Sequence, residues 1–539
     1  MTTWLSDSLP GVTARFLLAL WLLSASLSRT AHAAEPLPPP PAAATAIPES
    51  VALPSTRARE PAPERDAVKV RIDGEYEARQ SVLTALPLAP LDDSPPSLDQ
   101  TSRLFHWLRL RGLVLLGSRA ELRAEADLPR GMIYGHEPDA IPDSGSDFDR
   151  VQPVRAQPRM LRLTVRDRIG ELTVGHTTTQ LGMGLVDADG DQPRWFGTPD
   201  RPATYERVEV LSGTPTSSLR VGASADLLFD DGRLSLANGD DAWRVGLNAR
   251  FSPSPRVRTE LLARYEALAQ RGVLGGARLF LADLSGGFRS PIAGRAGEFF
   301  GEYEAAYRVG SVSEPTAFGV AGDDQTLSSM AFAARAGVAL ERVENFRRFA
   351  HVVASVEWGI ASGDADPTDD ELHRFVMNPN HGVGLILFNE VMRFKTSRAQ
   401  ARLERAGGSR GRARLQGLAS KGGVAGASYL NPVLLLRPTP DLTFKLGAVV
   451  ASTTTPLVDP SAVATSGARV NFDGGPAAGR ALGTELDAGG QLELPLDAPM
   501  LLRFSLEAGV AFPGSAFTNA NGHGLGTQAI VTFGLGLTF

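Results

Sequence analysis

The chain has 539 residues, no cysteine and a formal net charge of −6, which excludes a disulfide framework and a thiolate metal site and leaves no basic footprint for nucleic acid. Hydrophobic residues make up 43% and charged residues 21%, too polar a balance for a bundle of membrane helices. Lys69, Lys395, Lys421 and Lys445 are the only lysines, so the positive charge is carried almost entirely by arginine.

At the N-terminus Arg15 precedes the apolar run FLLALWLLSASL (Phe16 to Leu27), and Ala31-His32-Ala33 supplies small residues in an A-x-A pattern. This reads as a secretory signal peptide over residues 1–33, cleaved after Ala33. Nine prolines follow between Pro36 and Pro63. Residues 34–66 therefore read as an extended or disordered Pro/Ala-rich periplasmic leader without the apolar content for a core. No later stretch approaches eighteen apolar residues, so the mature chain is expected to lack a membrane-spanning helix.

From Ala67 onward a period of two recurs. VKVRIDGEYEA sets Val68, Val70, Ile72, Gly74 and Tyr76 against Lys69, Arg71, Asp73, Glu75 and Glu77. RAELRAEADL, MLRLTVRDRIGELTVG, WRVGLNARF and EFFGEYEAAYR repeat the alternation near residues 119, 160, 243 and 298. This is the strand signal. Tight turns are expected at Asp167 to Gly170, Ser252 to Arg256, Arg437 to Asp441 and Pro495 to Pro499. Long Gly/Asp/Pro-rich connections lie at Pro129 to Pro158, Leu181 to Ala203, Gly310 to Thr326, Ser362 to His381, Ser452 to Arg480 and Pro513 to Gly524.

Short turns at one end and long loops at the other are the asymmetry of a membrane barrel. The predicted fold for 67–539 is all-β: a single closed antiparallel transmembrane β-barrel of about 18 strands (16–20), with short periplasmic turns and long extracellular loops. Trp107, Tyr265, Tyr303, Tyr307, Trp358 and Tyr429 are candidate interfacial girdle aromatics. Gly382 to Gly423 is ambiguous: VGLILFNEVMRF fits a strand, an inward-folded helix, or both, and the Gly/Arg-rich stretch after it fits a strand pair or a basic loop. The last segment, IVTFGLGLTF, alternates Val531, Phe533, Leu535, Leu537 and Phe539 with a small inner face. It is expected to pair with the first strand near Val68 to Tyr76, and Phe539 is the candidate assembly signal.

Three segments, Gly170 to Asp191, Glu357 to Phe388 and Leu482 to Phe517, together resemble a group of uncharacterised porin-like outer-membrane β-barrels of myxobacteria and their relatives. The third is also distantly similar to alginate-export-type porins. The resemblance implies a channel in a bacterial outer membrane and names no solute. Members of the group commonly carry an arginine and an aromatic where this chain has His176 and Gln180.

The candidate lumen residues follow from parity. Arg109, Arg111, Arg123, Arg162, Arg166, Arg220, Arg244, Arg250, Arg258 and Arg264 lie opposite apolar stripes, as do Glu121, Glu125, Glu260, Glu302 and Glu304. Charged side chains are affordable on a wet inner wall, where rings of them set ion selectivity. Arginine's planar fork favours carboxylate or phosphate cargo. Asp187, Asp189 and Asp191 begin like a calcium loop, but Gln192 and Thr198 stand where an EF-hand needs Gly and Glu. A solvated turn is the plainer reading and a loop Ca²⁺ site the alternative. LGMGLV has the look of a phosphate loop but leads into an aspartate loop, not a helix. The histidines lack metal-ligand spacing, and no catalytic constellation is legible.

These features predict an outer-membrane porin-like channel for passive diffusion of small hydrophilic, preferentially anionic, solutes, with no cofactor and no enzymatic activity. Inward-folded loops from Ser362 to His381 or Ser397 to Gly423 would set its width. The alternatives are an export conduit for polysaccharide or another anionic polymer, and a plugged barrel serving as a surface-binding or structural protein. The expected partners are outer-membrane lipid and lipopolysaccharide, the barrel assembly machinery and the solutes themselves, with no nucleic acid. The sequence leaves the oligomeric state open.

Overall fold

The computed structural model describes residues 68–84, 102–135, 155–191, 194–197, 202–228, 242–268, 277–293, 296–313, 324–341, 351–367, 369–406, 419–496 and 499–539. The signal and leader readings for 1–66, and much of the basic stretch (407–418), lie outside the described residues.

The first half of the chain runs through β1 (Val68–Leu83), β2 (Ser102–Leu116), β3 (Ala120–Tyr134), β4 (Arg155–Arg166), β5 (Gly170–Thr177), β6 (Tyr205–Ser212), β7 (Leu219–Leu228), β8 (Ala242–Ser254) and β9 (Val257–Leu268). It continues through β10 (Ala277–Pro291), β11 (Gly297–Ser313), β12 (Asp324–Glu341) and β13 (His351–Ala361). The two-residue β14 (Glu371–Leu372) lies parallel beside β12. The rest are β15 (Ala427–Thr439), β16 (Leu442–Thr453), β17 (Ala481–Pro495), β18 (Leu501–Pro513) and β19 (Gln528–Thr538). β13 pairs directly with β15, so setting β14 aside leaves 18 of the 19 strands as a ring of antiparallel neighbours. β1 bonds both β2 and β19, which closes the ring and leaves no open edge.

The turns alternate as the sequence predicts. One end carries short connections at 117–119, 167–169, 255–256 and 440–441; the other carries 178–204, 362–426, 454–480 and 514–527. At 167–170 the Asp167 carboxylate accepts from the Arg168 N–H at 2.7 Å, and the Asp167 N–H donates to the Gly170 carbonyl at 2.8 Å. This fixes a tight reversal by local bonds. Closure corrects one detail of register. β19 pairs with Glu75 to Leu83 rather than with the start of β1, and Phe539 exchanges two backbone bonds with Gly74.

Alternation decides which face meets lipid. Ile72 is 75% exposed and Val531 49%, while Glu77, Ser81, Ile530 and Thr532 on the opposite parity are buried. Every buried polar atom in hydrocarbon must be bonded internally, so the apolar row faces outward and the charges inward. Among the described residues no helix is long and apolar enough to cross a membrane; the crossing elements are strands. The girdle reading holds for parity at Tyr265 and Trp358, which are exposed on the apolar face, but fails at Trp107 and Tyr429, which are buried on the inner one. Trp107 lies 5.7 Å from the Arg130 guanidinium, and Tyr429 covers a chain segment inside the barrel.

The described part of the ambiguous stretch, 382–406 and 419–423, is that inward segment. A 3₁₀ turn (Pro379–His381), a π-helical turn (Leu387–Met392) and helix α1 (Arg393–Ala406) pack their apolar side chains on inner-wall positions. Phe388, Val391 and Phe394 join Leu281, Ala333, Val449 and Ala511 of the wall in one buried cluster.

Candidate functional site: a lumen crossed by two segments

The inner wall near the short-turn end is a lattice of arginines and acids. Arg123 pairs with Glu121 at 3.0 Å, and Arg166 reaches both Glu121 (3.3 Å) and Glu171 (2.9 Å). Arg250 and Arg258 share Glu260, each at 2.8 Å, and Arg220 approaches Glu171 at 3.9 Å. Arg111 lies 3.5 Å from Glu75, and Arg335 bridges Glu302 (3.3 Å) and Glu357 (2.5 Å). Several of these side chains keep access to water; that of Arg258 is 62% exposed. Strand register also sets like charges side by side. Arg123 stands opposite Arg162, and Arg220 opposite Arg250.

Deeper in, the β5–β6 connection crosses the lumen. Its Asp187 is held by Arg264 and by Arg244 at 3.6 Å, and its Asp191 by Arg159 (2.8 Å) and Arg109 (2.9 Å). Burial alone would push the Asp187 carboxyl up, but Arg264, Arg244 and Arg207 outweigh it and bring it down to about 2. Arg109 also forks onto Asp127, and Arg207 and Arg244 share Asp226. On the far side the Phe196 ring packs where a Cβ at Gly447 would stand, and the Gly197 N–H donates to Glu507 at 3.1 Å. Gln180 ties the segment's turn, accepting from the Asp189 N–H and donating to the Gly182 carbonyl.

The second crossing comprises residues 375–406 and 419–425 of the described structure. Arg103 of β2 grips Glu390 at its middle, and Lys395 of α1 pairs with Asp473 of the β16–β17 connection. Where it meets the first crossing, the His381 imidazole bonds the Met183 carbonyl at 3.1 Å and the Tyr429 hydroxyl at 2.8 Å. That hydroxyl donates to Glu357 at 2.6 Å.

The arginines and acids of one parity share the inner wall, and the structure sorts them by cover. Arg111, Arg123, Arg162, Arg166, Arg220, Arg250 and Arg258 line the part left partly accessible. Arg109, Arg244 and Arg264 are buried against the first crossing, and Glu125 lies 3.8 Å from buried Arg159. Glu304 is 0% exposed, covered by that same segment, so it faces no solvent path. The three aspartates do not converge as a cation loop. Asp187 and Asp191 answer different arginine pairs, and Asp189 accepts from the Asp191 N–H. Among the described residues no group of three or more His, Asp or Glu side chains is placed to hold a metal ion. Sequence reasoning missed Arg79, Lys445 and Glu507, where buried Glu507 takes half-buried Arg79 at 3.3 Å and buried Lys445 at 3.1 Å. The parity of LTFKLGAVV was available to flag Lys445.

No family model matches the chain, and no curated protein matches it. Solved structures similar to it include OprD of Pseudomonas aeruginosa (11% identity over 87% of this chain and 95% of that one, TM-score 0.46). OccAB1 of Acinetobacter baumannii (10%, 87% and 96%, 0.46) and OccK11 of Pseudomonas aeruginosa (12%, 87% and 95%, 0.46) are similar to the same degree.

Proposed function

We propose that the chain is a channel of a bacterial outer membrane, through which small hydrophilic solutes diffuse passively along the charged wall beside the two crossing segments. The carrying observation is the accessible charge inside a closed barrel. Arg123, Arg166, Arg250 and Arg258 sit on the inner face with 29 to 62% of their side chains exposed, which only a wet lumen accommodates. Barrels of 16–18 strands are wide enough for an aqueous passage. The short-turn end is the periplasmic one in this reading, as in outer-membrane barrels generally. An anionic preference rests on the arginines set opposite one another in register, Arg123 with Arg162 and Arg220 with Arg250. Kinship with the myxobacterial porin-like group, and more remotely with alginate-export-type porins, belongs to the same reading and rests on the three segments quoted above.

Polymer export would call for a run of uncommitted arginines, whereas Arg109, Arg207, Arg244 and Arg264 each have a carboxylate partner. The plugged-barrel alternative has a specific observation in its favour, the apolar core that the second crossing forms with the wall. Single-channel recording of the purified protein in planar bilayers separates the two. The channel reading expects small, discrete conductance steps whose reversal potential in a salt gradient reports anion preference. Absence of any step at every voltage would overturn it in favour of the plug.

A further inference from the structure

The outer wall carries a defect that the lumen does not explain. β15 has neighbours on both sides, yet Pro432 sits near its middle (Ala427–Thr439). Proline has no N–H and is confined in sheets to edge strands, strand starts and bulges. The β15–β16 ladder keeps a single register across it, Leu430 with Val450 and Val433 with Gly447, but skips Asn431 and Pro432. On the other side both residues keep their partners on β13, Glu357 and Val356. The missing N–H is therefore the one aimed at β16. By register Ala448 stands opposite, and its carbonyl has lost its ladder donor.

That carbonyl borders a groove. Ala336, Val356, Pro432 and Ala448 form one row across β12, β13, β15 and β16. With Leu434 and Leu446 beside them they line about 440 Å³ on the lipid-facing side. Val356 is 48% exposed and Leu446 49%. Water reaches the carbonyl from neither side. Outside is hydrocarbon, where a backbone group must find its partner in protein. Inside, Val449 is 0% exposed and the Phe196 ring packs on Gly447. An acyl chain would fill the groove but brings no donor.

The same face carries the complementary group. Trp358 is the next outward residue on β13 after Val356 and is 46% exposed. Its ring packs on Phe332, and its indole N–H makes no hydrogen bond among the described residues. A tryptophan N–H away from water usually finds a partner. An unmet donor and an unmet acceptor on one face are both met by two-fold pairing, in which each copy's donor reaches the other's acceptor. We propose that two copies of the chain associate in the membrane through this groove, each seating the other's Trp358 indole against its Ala448 carbonyl. The small side chains of Ala336, Ala354 and Ala448 let the two walls approach. The pairing concerns the outer wall alone and does not depend on whether the lumen conducts.

The chain has no cysteine, so single substitutions report contacts by disulfide trapping in lipid vesicles. Leu430 stands between Trp358 of β13 and Val450 of β16, close to the two-fold axis of such a pair. Leu430→Cys is expected to give a covalent dimer on oxidation. Val208→Cys, on the lipid face of β6 and 48% exposed, is expected to give none. Pro432→Ala restores the N–H to Ala448 within the barrel's own ladder, and Trp358→Phe keeps the ring but removes the donor. Both should leave a folded barrel, and each should weaken dimerisation by about two- to tenfold in a dilution series of the detergent-solubilised protein. A monomeric wild type with no covalent dimer from Leu430→Cys would give the groove to acyl chains and overturn the proposal. A dimer that neither Pro432→Ala nor Trp358→Phe weakens would overturn it too, by placing the contact elsewhere on the wall.

Discussion

Replacing Glu485 by Ala removes the acceptor of three backbone N–H groups at the start of the helical part of the second crossing. Hydrogen bonds to a charged group contribute roughly 1.5–3 kcal/mol each, and a buried donor left unpaired costs roughly 1–3 kcal/mol, without full additivity. The loss of one partner of a buried charged contact costs roughly 3–5 kcal/mol in total. At 1.4 kcal/mol per factor of ten, the docked segment should be about 10²–10⁴-fold less favoured. The barrel should survive, because β17 keeps its ladders to β16 and β18 along its length. Hydrogen exchange resolved by peptide is the direct assay. Protection should collapse over 383–403 and persist over 481–495, and Glu485→Gln, which retains an acceptor oxygen, should lose less. Unchanged protection of 383–403, or an equal loss across β17 and β18, would refute the claim that this one carboxylate anchors the crossing.

Other outcomes follow from the same geometry. Asp187 is held down at about 2 by its arginines, so its ion pairs are complete above the ordinary carboxylate range and are lost only as pH falls toward 2. Acidification to about pH 4 should leave exchange over 178–191 unaltered, whereas Asp187→Asn should raise it at every pH. The Tyr429 ring lies where a Cβ at Gly359 would stand, so Gly359→Ala should displace it, cost about 1–3 kcal/mol, and lower the temperature at which the folded barrel converts to the slower-migrating form on gels. Leu430→Arg puts a charge on the lipid-facing side of β15, where Leu430 is 44% exposed; it should cost about 2–4 kcal/mol in a denaturant titration in vesicles, and a neutral result would count against that face meeting acyl chains.

The ring of strands was legible because two independent signals agree in the sequence. Period two marks each strand, and the alternation of tight Asp/Pro/Gly turns with long connections gives their antiparallel order. Both arise from local chemistry, which one chain displays in full. Parity is blind to what stands in front of a wall residue. Glu302 and Glu304 lie two apart on the same face of β11, yet only Glu304 is covered by the β5–β6 connection. Trp107 and Tyr429 had the composition of girdle aromatics, and their inward placement depends on partners far away in the chain, Arg130 and Phe388.

The second crossing was ambiguous for a physical reason as well. A helix on a protein surface shows a polar stripe because one side meets water. Residues 385–394 have barrel wall or the other crossing on nearly all sides, and Leu385, Ile386, Leu387, Phe388, Val391, Met392 and Phe394 are all buried. With no wet face, the apolar run carries no period that separates helix from strand. The glycines were the better guide, since a turn that must admit a carboxylate against its backbone tolerates no side chain at those positions. LGMGLV failed as a nucleotide motif because no helix follows it, yet its glycines do bind an anion. The anion is Glu304 of the protein's own wall, which accepts from the N–H groups of Gly184 and Leu185. Gly382-Val383-Gly384-Leu385 repeats the spelling, and the turn it forms grips Glu485 in the same way.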